Sequence, residues 1–309
     1  MSFLDESCRS SVTRRCRDGG RTTCDGETAV RRQPAVLSGR LRERYGPWAV
    51  ITGASSGIGR EFAVQVSAAG LDVVLVARRQ DLLEQLAGEL HARHGIECRV
   101  VAADLAHPVG VDQVTAATHD LDVGLLVAAA GFGASGPFLA ADLPTELAML
   151  QVNCAAVLAM TRHYSDNFTR RGRGGLILLG SLVGYQGVAR AATYAATKAW
   201  VQTLAEGLHL ELRPLGIDVL SVAPGPVHSG FADNAGMTMS RAQRPADIAA
   251  PALAALGRRT TIAPGALSKL LTWSLTPLPR KARTLIMSRV MAEMTPTTPS
   301  PFPAPPTAG

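Results

Sequence analysis

Lysine is almost missing from this chain. Of the 31 cationic side chains in its 309 residues, 28 are arginine, and lysine stands only at Lys198, Lys269 and Lys281. Cysteine is sparse and unpatterned. Cys8, Cys16, Cys24, Cys98 and Cys154 form no CxxC pair and no Cys/His cluster, which argues against a metal site. Their odd number and the lack of a signal peptide point to a reducing cytosol. No apolar run approaches the ~18 residues needed to span a bilayer. Positive charge is missing from the middle of the chain. Residues 1–46 carry ten Arg against six acids and residues 264–309 five Lys/Arg against one Glu, whereas residues 47–263 carry sixteen bases against eighteen acids. The formal net charge of +6 therefore belongs to the two ends. That excludes a core binding nucleic acid through a basic, aromatic-lined stripe.

What remains is the composition of a globular protein, with a hydrophobic fraction of 47% and 18% charged residues. Residues 1–46 mix Arg, Ser, Thr, Asp and Gly without helical or strand periodicity. They read as a disordered arm, or as the product of a start codon set too early. Acids at Asp5, Glu6, Asp18, Asp25 and Glu27 argue against a transit peptide. Residues 295–309 form a Pro-rich tail, also expected to be disordered. Between these ends, short apolar runs at Trp48–Thr52, Asp72–Ala77, Cys98–Ala102, Val123–Ala128, Leu176–Gly180 and Ile217–Val222 alternate with stretches of helical periodicity. Continuous apolar strands separated by helices imply a parallel sheet covered on both faces, joined by right-handed crossovers. The fold expected for 47–263 is a doubly wound α/β domain of the Rossmann type. Residues 264–294 follow as an amphipathic, basic helical extension.

The first strand runs into 52-TGASSGIG-59, whose Gly53, Gly57 and Gly59 are spaced G-x3-G-x-G. Glycines there let the backbone approach a pyrophosphate, and a helix N-terminus offers free N–H groups and a positive dipole end. The second strand ends in Ala77-Arg78-Arg79, nineteen residues after Gly59 at Arg78, with no acid to take a ribose 2′-hydroxyl. An arginine fork suits a 2′-phosphate, so the strand end favours NADP over NAD. The other reading is two solvated arginines opening a loop. Tyr194 and Lys198 are four apart, on one helical face, and Ser181 follows the fifth apolar run by one residue.

In this order and spacing the turn 52-TGASSGIG-59, Asp104 in "AADL", Asn153 in "QVNCAA", Ser181, Tyr194-x3-Lys198 and Pro224-Gly225 resemble the short-chain dehydrogenases/reductases, over roughly residues 47–265. "ARR", "GFGASGPF", "YAATKAW" and "PGPV" look most like a bacterial, NADP-linked branch. The resemblance implies a hydride-transferring enzyme in which Tyr194 is the general acid and Ser181 supports the oxyanion. It makes Lys198 the partner of both the phenol and the nicotinamide ribose, and Asn153 the holder of a water. A nearby ammonium is expected to lower the phenol's pKa, and a compact point charge serves this better than a planar guanidinium. Cofactor contacts are implied at Gly53, Ser55, Gly57, Ile58, Gly59, Arg78, Asp104, Leu105, Ala130, Gly131, Tyr194, Lys198, Pro224, Gly225 and Val227. Asp104 reads equally well as a loop residue capping the turn before "LAHP". The chain departs from the family at Ala128-Ala129-Ala130-Gly131, where Asn-Asn-Ala-Gly is usual. The missing amides are expected to loosen ties between strands and to weaken cofactor binding.

Family topology places a mostly apolar substrate pocket at Phe132, Tyr185, Gln186, Val227, Phe231 and Met237, suited to an apolar ketone, aldehyde or secondary alcohol. Segment 226–237 reads as a lid, and His228 as a solvated lid residue. The extension 264–294 has two open readings. One is a peripheral membrane helix pair, with Trp273, Lys269, Arg280, Lys281 and Arg283 at anionic lipid. The other is a hairpin packed on the core or across a subunit boundary. The expectation is a cytoplasmic homodimer or homotetramer using NADPH. The alternatives are a membrane-associated reductase of lipid-chain keto groups and a cofactor-binding regulator without turnover.

Overall fold

The computed structural model of the chain describes residues 35–228 and 242–295. Seven parallel strands form one sheet: β1 (Trp48–Thr52), β2 (Asp72–Ala77), β3 (Cys98–Ala102), β4 (Val123–Ala128), β5 (Gly174–Leu179), β6 (Ile217–Val222) and β7 (Thr261–Ile262). Their order is β3-β2-β1-β4-β5-β6-β7. The chain reverses its direction of travel across the sheet between β1 and β4, which opens a crevice above the strand ends at that point.

Alternate residues of each strand feed two cores. Ala49, Ile51, Val73, Leu75, Leu125 and Val127 meet α1 (Ala35–Tyr45), α2 (Gly57–Ala68), α3 (Gln80–His94) and α8 (Ala246–Ala255). Val50, Val74, Val76, Leu126, Leu176 and Leu178 meet α4 (Pro108–Ala116), α6 (Ala156–Arg171) and α7 (Ala192–Leu212). Burial on both faces is why these strands read as unbroken apolar runs rather than as alternating patterns. Helix α5 (Leu143–Leu150) continues through a π-helical turn, Gln151–Ala155, into α6. By length and composition this continuous stretch could cross a membrane. Here its Val157, Met160, Tyr164 and Phe168 pack on the sheet.

Strand β5 and the N-terminal arm differ from the sequence expectation. Strand β5 spans Gly174–Leu179, not Leu176–Gly180. The two glycines are strand residues because aromatic rings lie against them. A Cβ on Gly174 would come 2.2 Å from the Phe168 ring, and one on Gly175 would come 2.9 Å from that of Tyr45. Within the expected disordered arm, residues 35–45 are helical. Its arginines hide the pattern: among residues 39–45, whose burial is described, Leu41 and Tyr45, four apart, are the buried ones. The Tyr45 hydroxyl donates to Asp218 Oδ2 at 2.6 Å, and Arg44 Nε donates to the same oxygen at 2.6 Å. Burial and the Asp218 carboxylate both raise the Tyr45 pKa, so the phenol stays a donor. Residues 1–34 and 296–309 lie outside the described residues. The extension contains α9 (Ala266–Leu275) and α10 (Arg280–Met294).

Tyr45→Phe removes one donor from a buried carboxylate and is expected to cost roughly 1.5–3 kcal/mol. Tyr45→Ala should cost more, roughly 3–5 kcal/mol, by emptying a ring-sized space. Urea denaturation monitored by circular dichroism checks both. An unchanged midpoint in either variant would mean that α1 is not part of the cooperative unit.

Candidate active site

The turn from β1 into α2 is built for close backbone approach. Gly53 has φ +70° and Gly57 has φ +57°, values that a Cβ disfavours. A Cβ on Gly53 would lie 2.9 Å from the Ala130 nitrogen, and one on Gly59 would lie 2.3 Å from the Gly53 carbonyl oxygen. Ser56 precedes α2 without a side-chain capping bond, which leaves the first-turn N–H groups to whatever occupies the crevice. At the end of β2, Arg78 and Arg79 border the same space, and Arg79 Nη2 donates to Ser55 Oγ at 3.1 Å. Asp104 follows β3. Its Oδ1 accepts from the Ala106 N–H at 3.0 Å, so it caps the turn and still borders the cavity.

The second cluster forms where β5 and β6 end over α7. Ser181 follows β5 in extended backbone, and its Oγ accepts from the Val183 N–H at 3.4 Å. The Leu182 N–H donates to the Pro224 carbonyl at 3.0 Å, tying the loop after β5 to the turn after β6. One turn of α7 apart, Tyr194 and Lys198 are both buried. The phenol is hydrogen-bonded to Ser181. Lys198 Nζ donates to the Leu179 carbonyl at 2.9 Å and lies 5.8 Å from the Tyr194 ring centroid. A Cβ on Gly131 would come 3.3 Å from Nζ and 2.9 Å from Asn153 Oδ1.

Asn153 sits in the π-helical turn, a distortion that recurs at functional sites. It is buried behind the cavity wall rather than in it. Its Oδ1 accepts from the Phe132 N–H at 3.1 Å, while Nδ2 donates to the Phe132 carbonyl at 2.9 Å and to Thr197 Oγ1 at 3.1 Å. The amide thus joins the loop after β4 to α7. The departure at Ala128-Ala129 is bridged locally, because Thr52 Oγ1 accepts from the Ala130 N–H at 3.0 Å.

Burial pushes the Tyr194 phenol up to about 12, against the pull of its bond with Ser181. This reverses the lowering expected from a neighbouring ammonium. Desolvation is the larger influence, and the Lys198 Nζ donates to the Leu179 carbonyl. Burial also takes Lys198 down to about 8. At neutral pH the pair is therefore a neutral phenol beside a cation, an arrangement able to give up a proton.

A cavity of about 750 Å³ joins the two clusters. It brings together Gly53, Ser55, Gly57, Ile58, Gly59, Arg78, Asp104, Leu105, Ala130, Gly131, Ser181, Tyr194, Lys198, Pro224, Gly225 and Val227. The glycine cradle, uncapped helix start and paired arginines fit a phosphate-bearing dinucleotide laid across the crevice. Of the expected substrate contacts, Phe132 and Val227 line the space, whereas Tyr185 and Gln186 do not. Gln186 is buried instead, donating to the Leu182 carbonyl at 3.3 Å. Phe231 and Met237 lie outside the described residues, as does most of the expected lid, and His228 is exposed. The sequence reading missed one wall, formed by Met287, Val290, Met291 and Met294 of α10 with Glu293 beside them. The spacing i, i+3, i+4, i+7 was a helical-face signal, but it does not say which surface such a face covers.

The sequence profile of the short chain dehydrogenase family matches residues 47–240. A 7beta-hydroxysteroid dehydrogenase from Clostridium sardiniense is 32% identical over 233 residues, which cover 74% of this chain and 89% of the relative. A solved structure described for 7beta-hydroxysteroid dehydrogenase stereoselectivity aligns with a TM-score of 0.75 at 29% identity, over 80% of this chain and 98% of that one. A short-chain dehydrogenase from Sphingobium yanoikuyae in complex with NADPH aligns with a TM-score of 0.68 at 27% identity, over 83% and 99%.

With three lysines in the chain, a ¹³C-lysine spectrum is simple enough to follow one side chain. The Lys198 resonance, assigned by its loss in Lys198→Met, should titrate with a midpoint near pH 8. A midpoint at the ordinary lysine value of about 10.4 would show that burial does not govern this amine.

Proposed function

The chain belongs to the short-chain dehydrogenase family, and we propose that it is an NADP(H)-dependent reductase of apolar ketones or aldehydes, working reversibly on secondary alcohols. The observation that carries this reading is the convergence of the Ser181 and Tyr194 hydroxyls in the cavity that holds the glycine cradle. Arg78 and Arg79, with no acid at the end of β2, favour the 2′-phosphorylated cofactor. The NADPH complex of the Sphingobium relative accords with that choice. Nicotinamide supplies the hydride when bound.

The remaining chemistry belongs to the chain. Tyr194 donates its phenolic proton to the carbonyl oxygen of the substrate. Ser181 hydrogen-bonds the same oxygen as charge develops, a contribution of roughly 2.7–4 kcal/mol at comparable oxyanion sites. The two hydroxyls already bond to each other, so a carbonyl oxygen entering between them meets two donors at once. Lys198, held by the Leu179 carbonyl, stabilises the phenolate left behind. It is also the ribose partner. Asn153 acts as a positioning residue, fixing Phe132 and Thr197 on either side of the lysine; a water held near it would connect Lys198 to solvent. Phe132 and the α10 methionines give the substrate an apolar surface.

The same reading includes a reducing cytosol. It also includes assembly as a homodimer or homotetramer through the helices that contain Asn153 and Tyr194, where Leu158 and Leu210 are exposed. A regulator without turnover would have no need of the complete Asn153, Ser181, Tyr194 and Lys198 set.

Tyr194→Phe should lower kcat for ketone reduction at least ~100-fold while leaving NADPH binding intact. Arg78→Ala should weaken NADPH roughly 10- to 100-fold, as the loss of a charge-assisted bond implies, and leave NADH unaffected. Reduction should be steady below pH 8 and fall as pH rises through about 8, because Lys198 loses its charge there. Stopped-flow NADPH oxidation over a ketone panel measures all three. Turnover that survives Tyr194→Phe refutes the mechanism, and tighter binding of NADH than NADPH refutes the cofactor.

A further inference from the structure

Helices α9 and α10 have two unlike sides. On the inner side, Leu275, Met287 and Met291 share a buried cluster with Met149, Val183 and Tyr194, and the α10 methionines wall the cavity. On the outer side of α9, Ala266, Lys269, Leu270 and Trp273 recur at i, i+3, i+4 and i+7, all exposed. Trp273 is 78% exposed and Leu270 58%. On α10, Lys281, Leu285 and Arg289 recur at i, i+4 and i+8, again exposed, with Ile286 beside them. Two of the three lysines in the chain lie here, and the single acid among residues 264–309 is Glu293, which borders the cavity.

We propose that the outer side of the α9–α10 hairpin docks the protein on an anionic lipid bilayer. Exposed Leu and Trp interleaved with cations match the interfacial zone of such a surface, where an indole spans the polar boundary and Lys stems reach the headgroups. A second copy of the chain is a poorer partner. A two-fold contact is self-complementary, so it would set this cationic face against itself. Docking here places the membrane on the side of α10 opposite the cavity wall. That location serves a reductase whose apolar substrate dissolves in the bilayer, a use that rests on the reaction proposed above. The docking itself does not.

The test is co-sedimentation of the full chain with vesicles of phosphatidylcholine alone and with roughly 30% phosphatidylglycerol, read together with tryptophan emission. The anionic vesicles should bind the chain at least tenfold better, and 0.5 M salt should weaken that binding. Lys269→Glu with Lys281→Glu should also reduce binding at least tenfold, while turnover of a water-soluble ketone stays unchanged. Binding should shift Trp emission to the blue, and Trp273→Phe should abolish the shift. Failure to bind anionic vesicles, equal binding by the charge-reversed protein, or a shift that persists without Trp273 overturns the proposal. So does light scattering that shows self-association abolished by the charge reversal. Vesicle binding without turnover of any ketone would remove the reductase assignment and leave the docking standing.

Discussion

A buried ammonium beside a buried phenol is the constraint around which the site is arranged. Removing a lysine from water disfavours its charge, and the fall of Lys198 to about 8 measures that cost. One strong acceptor, the Leu179 carbonyl at 2.9 Å, keeps the cation in place. That carbonyl belongs to the last residue of β5. The rest follows from geometry. Ser181 lies two residues beyond Leu179, and Tyr194 lies one helical turn before Lys198, so a single strand end and a single helix set all three groups. Gly131 is required because a Cβ would crowd both Nζ and Asn153. The same crowding explains a lysine in a chain that otherwise prefers arginine. The space between Gly131 and Leu179 accepts a point charge, and a planar fork would need room that Gly131 and Asn153 already fill.

Burial also decides which protonation state waits at neutral pH. Sequence spacing brings the amine near the phenol and suggests an acidified tyrosine. The structure instead encloses the phenol, and desolvation raises it to about 12. A neutral phenol is the state that the proposed reduction requires of a proton donor. In the proposed reaction the ammonium would act on the phenolate left by proton loss.

Much of the fold was legible because burial on both faces writes strands as apolar runs, and six of the seven strands were read in this way. What escaped was set by partners distant in sequence. Gly174 and Gly175 look like a loop until Phe168 and Tyr45 are placed against them. Helix α1 looks like an arginine-rich arm because Leu41 and Tyr45, its described buried residues, stand among Arg40, Arg42 and Arg44. β7 has two residues, too few for any periodicity. In the site, the cradle and the Tyr194–Lys198 pair were legible since their spacing is local to one turn or one helix, and Ser181 because it follows the end of a strand. The α10 wall was not, because its position depends on how residues after β7 fold back over α7.

The alanines at 128 and 129 show how a local departure can leave the architecture intact. Two side-chain amides after β4 would bond across to neighbouring strands, and without them the crevice could widen at its narrowest point. Two features oppose that. Thr52 Oγ1 takes the Ala130 N–H, stitching the end of β1 to the loop after β4. Gly53 lets the two backbones approach so closely that no side chain fits between them. Asn153 then holds the other end of the same loop through both polar groups of Phe132. The loop is therefore pinned at Ala130 and Phe132, one residue on either side of Gly131, the residue nearest Lys198 Nζ.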